Sequence, residues 1–305
     1  MKRTVLVILV CALGLACGKK EDQKYTKTIG VALLTRGHIF YKDLEEGLRD
    51  EAARQHYELI VTSAEFDLGK QISQIEDFVA RRVDAVIVCP VDSKGIGPGI
   101  RKANEANIPV FTADIAAQEG NVVSHIASDN IAGGRLAGEY MAKALNGRGK
   151  IAIINNPVAT SVLDRVKGFR DAIAKFPGIT VVADVNGQAV RDKSLEAAAD
   201  VLQGNPQLDG IFGINDATAL GALDAVQQFK RTSIIIVGYD ATPPAADAIT
   251  RGTPLKADVI QYPKTIGTMT IDMIRDNFAG KPVPPVVPVD VGIADAQYFH
   301  DHPEK

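Results

Sequence analysis

Gly210-Ile-Phe-Gly-Ile-Asn-Asp-Ala-Thr-Ala-Leu-Gly-Ala-Leu223 contains one complete strand-to-helix step. Its apolar run through Ile214 reads as a buried strand, Asn215-Asp216 as the polar exit from it, and the remainder as the start of a helix. The same unit recurs on either side. β-Branched runs lie at 28–35, 57–63, 84–90, 109–113, 122–127, 150–155, 179–185, 233–239 and 255–260. Between most of them are segments of about 10–18 residues with apolar positions at helical spacing, such as Leu44, Leu48 and Ala52, or Ile72, Ile75 and Val79. Alternating strand and helix predicts an α/β fold of doubly wound parallel sheets, covered on both faces. No stretch repeats at a short period or is low in complexity. Lys281-Pro-Val-Pro-Pro-Val-Val-Pro288 is the stretch closest to a linker, and its prolines predict an extended crossing with no helix.

A chain of 305 residues is too long for one ordinary open domain and suits two. Hydrophobic residues at 46% and charged residues at 23% give the balance of a chain that buries a proper core. A net charge of −3 leaves no basic excess to neutralise phosphates, which excludes nucleic acid as a partner. The first seventeen residues follow a different logic. Met1-Lys2-Arg3 and the short apolar run over 4–16 predict a secretory leader that is removed and takes no part in the fold. Ala16-Cys17-Gly18 resembles a bacterial lipoprotein cleavage site, which implies lipidation of Cys17, although Gly14 stands where that pattern favours leucine. Residues 18–27 are polar and aperiodic, as a flexible tether requires. Of the three cysteines, only Cys89 then remains inside the domains, and its apolar surroundings predict a buried small hydrophobe.

In doubly wound sheets, the loops after the carboxyl ends of the strands build the ligand site. Those loops carry His38 with Phe40-Tyr41, then Asp114, Asn215-Asp216, Asp240 and Gln261. Carboxylates and amides exchange several hydrogen bonds with hydroxyl groups, and an aromatic face covers the C–H side of a sugar ring. Each position also has a plain structural reading. Asp or Asn at a strand-to-helix step commonly caps the helix, Phe40 and Tyr41 could be core residues, and His38 could be a solvated loop residue.

Several stretches carry a close resemblance: Ala106-Asn-Ile-Pro-Val110, Val123-Ser-His-Ile-Ala-Ser-Asp-Asn130, Arg165 with Gly168-Phe169, Asn215 to Leu223, and Val237-Gly-Tyr-Asp-Ala-Thr-Pro243. Over residues 28 to about 290 the chain resembles periplasmic sugar-binding proteins of the ribose-binding type, the receptor components of ABC importers. The resemblance implies two similar domains joined by three hinge crossings, with a ligand cleft between them. The first would be 28–128 plus 262–288, the second 129–261 plus 289–305, with the proline-rich segment as the third crossing. It assigns stacking to Phe40 and Tyr41, and hydrogen bonding to Asp114, Arg165, Asn215, Asp240 and Gln261. A sugar or polyol ligand, an ABC permease, a chemoreceptor as further partner, a monomeric state and a periplasmic or cell-surface location are likewise implied. The chain departs from the ribose pattern at three places. Ile115 replaces an arginine, His38 replaces an asparagine, and Gly187-Gln188-Ala189-Val190 lacks an aromatic, so Gln188 joins the candidates and ribose is one ligand among several.

Other readings compete with this one. Histidines 38, 56, 125, 300 and 302 include no metal-binding helical pair, and neither a Gly-x-Ser-x-Gly elbow nor a phosphate loop is present. Gly95-Ile-Gly-Pro-Gly99 lacks the lysine of a phosphate cradle. Asp114 and Asp240 as the acid/base pair of a glycoside hydrolase is the enzymatic alternative, and the reading adopted is no enzyme, no metal and no cofactor. Sensor domains of lac-repressor-type regulators share the expected fold, but here only a leader and tether precede the first strand. A furanone or nucleoside is the non-sugar alternative for the ligand.

Overall fold

The computed structural model describes residues 25–302. The leader, Cys17 and most of the tether lie outside the described residues. The chain first lays down β1 (Lys27–Leu33), α1 (Ile39–Arg54), β2 (Tyr57–Ser63), α2 (Leu68–Arg81), β3 (Ala85–Val88), α3 (Gly97–Glu105), β4 (Val110–Ala113) and β5 (Ser124–Ser128). It continues through α4 (Asn130–Ala144), β6 (Arg148–Asn155), α5 (Thr160–Ile173), β7 (Gly178–Asn186), α6 (Arg191–Gly204), β8 (Gly210–Gly213), α7 (Asp216–Gln228), β9 (Ile235–Asp240), α8 (Pro243–Thr250) and β10 (Leu255–Ile260). Then come α9 (Pro263–Phe278), β11 (Val286–Val289), β12 (Gly292–Asp295) and α10 (Ala296–Asp301).

Two six-stranded sheets result, ordered β11-β5-β4-β3-β1-β2 and β12-β10-β9-β8-β6-β7. Each belongs to one of two α/β domains. The chain passes between them three times: from β5 to α4, from β10 to α9, and from β11 to β12. Pairing is parallel throughout, apart from β12, which runs antiparallel to β10.

The expected strands all form, and two further ones appear where none was expected. Residues 286–288 of the proline-rich segment, together with Val289, pair with β5 as an edge strand, so the crossing itself narrows to Asp290-Val291. An edge tolerates the exposed Pro288 because one side of its backbone needs no ladder partner. The strict alternation also lapses between β4 and β5, which pair directly without an intervening helix.

Helix starts follow local chemistry. The side chains of Asp67, Asp129, Asn215 and Asp295 each accept a backbone N–H from the first turn of α2, α4, α7 and α10. Leu44, Leu48 and Ala52 are buried on α1, as their spacing predicts, and Cys89 is a free, fully buried thiol whose pKa burial pushes up. The α4 and α5 helices approach so closely that a Cβ at Gly134 would lie 2.0 Å from the Arg165 carbonyl oxygen. Among the described residues, no helix is long and apolar enough to cross a membrane.

Candidate functional site

The carboxyl ends of the two sheets face each other across a cavity of about 470 Å³ that opens to solvent. From the first domain, His38, Phe40, Tyr41 and Asp114 line it; from the second, Arg165, Asn215 and Asp240, with Gln261 at the second crossing. Gln188 is not among them. It is exposed, and its left-handed backbone (φ 56°) places its neighbour Ala189 against the cavity instead.

Asp114 follows β4 directly. The Ile115 N–H donates to the Ala113 carbonyl at 2.8 Å, closing a three-residue turn that holds Asp114 at φ 66°. This turn aims the carboxylate at the cavity. Oδ2 accepts a 2.7 Å bond from the Tyr41 hydroxyl, while Oδ1 is buried without a hydrogen-bond partner. Burial, and the Asp114 carboxylate, push the Tyr41 phenol well above its ordinary pKa, so it stays a donor. Burial also raises the Asp114 pKa, against the pull of Arg165 and the Tyr41 bond. Phe40 packs edge-on to Tyr41, with ring centroids 5.2 Å apart.

Arg165, on α5, is 5% exposed and held from several sides. Its Nε donates to Asn130 Oδ1 at 2.8 Å and Nη1 to the Ile214 carbonyl at 2.9 Å, and the guanidinium stacks 3.9 Å from the Tyr239 ring centroid. The fork therefore sits in one orientation, with 3.9 Å to Asp114 on one side and 3.9 Å to Asp240 on the other. Asp240 ends β9 at φ 117°, and its Oδ1 accepts from Gln261 Nε2 at 2.6 Å. Burial first, and then Asp216, raise its pKa to about 8, with Arg165 opposing. Gln261 Oε1 accepts a 2.7 Å bond from Ser128 Oγ, so its amide ties the first crossing to the second.

Asn215 and Asp216 divide their work. Asn215 Oδ1 caps α7 by accepting the Thr218 N–H at 2.9 Å, and the residue also lines the cavity. Asp216 points the other way: its Oδ2 accepts the Thr242 N–H at 2.7 Å, and burial raises its pKa. Behind it lies Asp258 of β10, fully buried, with its pKa pushed well up by burial and by Asp216.

Sequence reasoning passed over Phe66 and Asn156, which also line the cavity. Both follow strands, β2 and β6, so the strand-end rule points to them when applied to every strand. Ile115, in place of the expected arginine, is buried against the cavity, and it joins Val162, Ala189 and Ile214 in giving it an apolar side. His38 stacks on Tyr41 at 6.3 Å between ring centroids, and burial lowers its pKa against a hydrogen bond to the Ala189 backbone.

A family model described as a periplasmic binding protein domain matches residues 29–282. The chain belongs to the periplasmic binding protein family. Among members of that family, the ribose import binding protein of Escherichia coli K12 is 32% identical over 298 residues, 97% of this chain and 100% of its own. The xylitol-binding protein of Mycolicibacterium smegmatis is 32% identical over 245 residues, 79% of this chain and 70% of its own. A solved ABC transporter periplasmic solute-binding protein of Actinobacillus succinogenes 130Z, with bound D-allose, superimposes with a TM-score of 0.83 at 26% identity. That match covers 90% of this chain and 99% of the other.

Proposed function

We propose that this chain is the extracytoplasmic substrate-binding component of an ABC importer and holds a monosaccharide or related polyol between its two domains. The observation that carries this reading is Asp114 Oδ1, a buried carboxylate oxygen without a hydrogen-bond partner, facing Arg165, Asn215 and Asp240 from the opposite domain. A hydroxyl donates to that oxygen and accepts from the Arg165 fork or the Asn215 amide, while the Phe40 and Tyr41 rings cover a C–H face. Because both domains contact the same ligand, binding favours the arrangement in which they close about the three crossings.

The chemistry is binding and not turnover. Tyr41 holds Asp114 through Oδ2 and Gln261 holds Asp240 through Oδ1, with Arg165 between the two carboxylates, an arrangement suited to gripping hydroxyls from both domains. An ABC permease is the partner of the closed form, and a chemoreceptor is a further one. Lipidation of Cys17 would anchor the body to a membrane through the polar tether.

Thermal unfolding of the Gly18–Lys305 protein against pentoses, hexoses, sugar alcohols, furanones and nucleosides tests the reading. A ligand at 100 times its dissociation constant adds about 2.7 kcal/mol. A clear rise in Tm with a sugar or polyol is the expected result. A rise confined to furanones or nucleosides, or a flat response throughout, overturns the sugar.

A further inference from the structure

Beside the inner cavity lies a second space of about 990 Å³, a chamber open to solvent on one side. His38, Phe40, Phe66, Asn215 and Asp240 line both, so the two spaces share a wall. Beyond those residues, its apolar lining is Ile39 from the first domain and Val190, Leu220 and Pro244 from the second, with Glu65, Arg191, Asp216 and Thr242 as polar members. Both domains therefore build it, as they build the inner cavity.

Phe66 is the unusual member. It is among the most exposed large apolar side chains described, at 37%, whereas Phe40 beside it is 6% exposed. Its position is imposed at some cost: Glu65 and Phe66 are consecutive non-glycine residues in the left-handed region, at φ 53° and 64°. The turn is fixed by the Glu65 carboxylate, which accepts from Ser63 Oγ, from Thr35 Oγ1 at 2.7 Å and from the Arg36 N–H at 3.2 Å. The Phe66 N–H donates to the Leu34 carbonyl at 3.2 Å. His38 then meets the Phe66 ring edge-on, with centroids 5.5 Å apart. An aromatic pair held at the mouth of a polar cavity, opposite an apolar wall, matches the amphipathic surface of a ring more closely than it matches bulk water.

We infer that the outer chamber is a subsite for a second ring, and that the preferred ligand is a glycoside with one sugar ring in the inner cavity and a second ring against Phe66 and His38. This rests on the sugar-binding reading of the inner cavity. The inner polar groups recognise the first ring, and the outer walls offer the second mainly the Phe66 and His38 rings with Val190, Leu220 and Pro244, while Arg191 and Thr242 remain within reach of its hydroxyls. Affinity then rises when a free sugar is extended through its glycosidic oxygen.

Calorimetric titration of the Gly18–Lys305 protein tests this with matched pairs: D-xylose and xylobiose, D-glucose with cellobiose and maltose, D-galactose with lactose and melibiose, and the phenyl glycosides of each sugar. The expected result is at least tenfold tighter binding of one two-ring compound than of its parent sugar. Pro244→Trp, which fills the outer chamber from an exposed position outside the inner lining, should abolish that gain and leave parent-sugar affinity within about twofold. Phe66→Ala should reduce the same gain. Free sugars binding as tightly as every two-ring compound overturns the subsite and leaves the sugar reading intact. No binding by any sugar or glycoside overturns both.

Discussion

Asp114 carries a prediction that separates binding from packing. Its Oδ1 has no hydrogen-bond partner, so on the proposed reading Asp114→Ala removes a ligand contact and at the same time leaves the Tyr41 hydroxyl without its acceptor. The expected loss is about 1–3 kcal/mol of binding free energy, read by calorimetry with the ligand found in the thermal screen. Unchanged affinity would show that the cavity is not the site. A second prediction concerns Asp258. Its pKa is raised from an ordinary 3.8 by burial and by Asp216, while Asp240 nearby is raised to about 8. A carboxyl shifted upward contributes stability that is fully present below the unfolded pKa and is lost as pH rises through the folded one. The protein should therefore lose stability between about pH 4 and pH 8, each such group costing at most about 1.4 kcal/mol per pH unit. Asp258→Asn should flatten that slope in chemical denaturation, with a higher Tm than wild type at pH 8 and little difference at pH 4. Parallel pH profiles for the two proteins would refute the assignment.

Helices α4 and α5 set where Arg165 stands. Because a Cβ at Gly134 would meet the Arg165 carbonyl oxygen at 2.0 Å, Gly134→Ala must push the helices apart. The expected cost is about 1–3 kcal/mol of stability by urea denaturation, together with weaker ligand binding because the guanidinium moves with its helix. Weakened stability with full affinity would mean that α5 relaxes without shifting Arg165. Elements of this kind differ in how plainly the sequence announces them. The strands of the two sheets' interiors are buried on both faces and read as continuous apolar runs, which is why 210–214 and its counterparts were legible. β11 and β12 were not. Each is four residues long, carries no alternation strong enough to outweigh Pro284, Pro285 and Pro288 or the single Gly292, and pairs with a strand far away in sequence. The site shows the same division. Asp114, Asn215, Asp240 and Gln261 follow apolar strands and were found by that rule, whereas Arg165 sits inside a helix, where spacing alone marks it as nothing special. Gln188 lies outside the lining because the backbone is left-handed at both Gln188 and Ala189, and spacing along the chain does not reveal that such a turn brings Ala189 inward.

The two domains touch across the cleft at a cluster distinct from the cavity's polar groups. Thr160, the first residue of α5, donates through Oγ1 to the Ala116 carbonyl at 3.1 Å and accepts the Ala116 N–H at 3.0 Å. Its own N–H donates to Ser93 Oγ at 3.0 Å, and the Ser93 N–H donates to the Val158 carbonyl at 3.1 Å. Ser93 and Ala116 belong to loops of the first sheet, Val158 and Thr160 to the second domain, so these bonds form only when the cleft is closed. Thr160→Val keeps the shape and removes the hydroxyl, stranding both backbone groups of Ala116. The hydroxyl also accepts from Ser93 Oγ at 3.3 Å, so at about 0.5–1.5 kcal/mol per bond the loss of three shifts the balance towards the open arrangement by about 1.5–4.5 kcal/mol. Apparent affinity falls with the fraction of molecules able to close, although no ligand contact has been touched. The expected outcome is several-fold weaker binding and a larger radius of gyration by X-ray scattering without ligand, returning to the wild-type value at saturation. A variant that binds and scatters as wild type does in both conditions would place the energetics of closure in the hinge bonds of Ser128 and Gln261 instead.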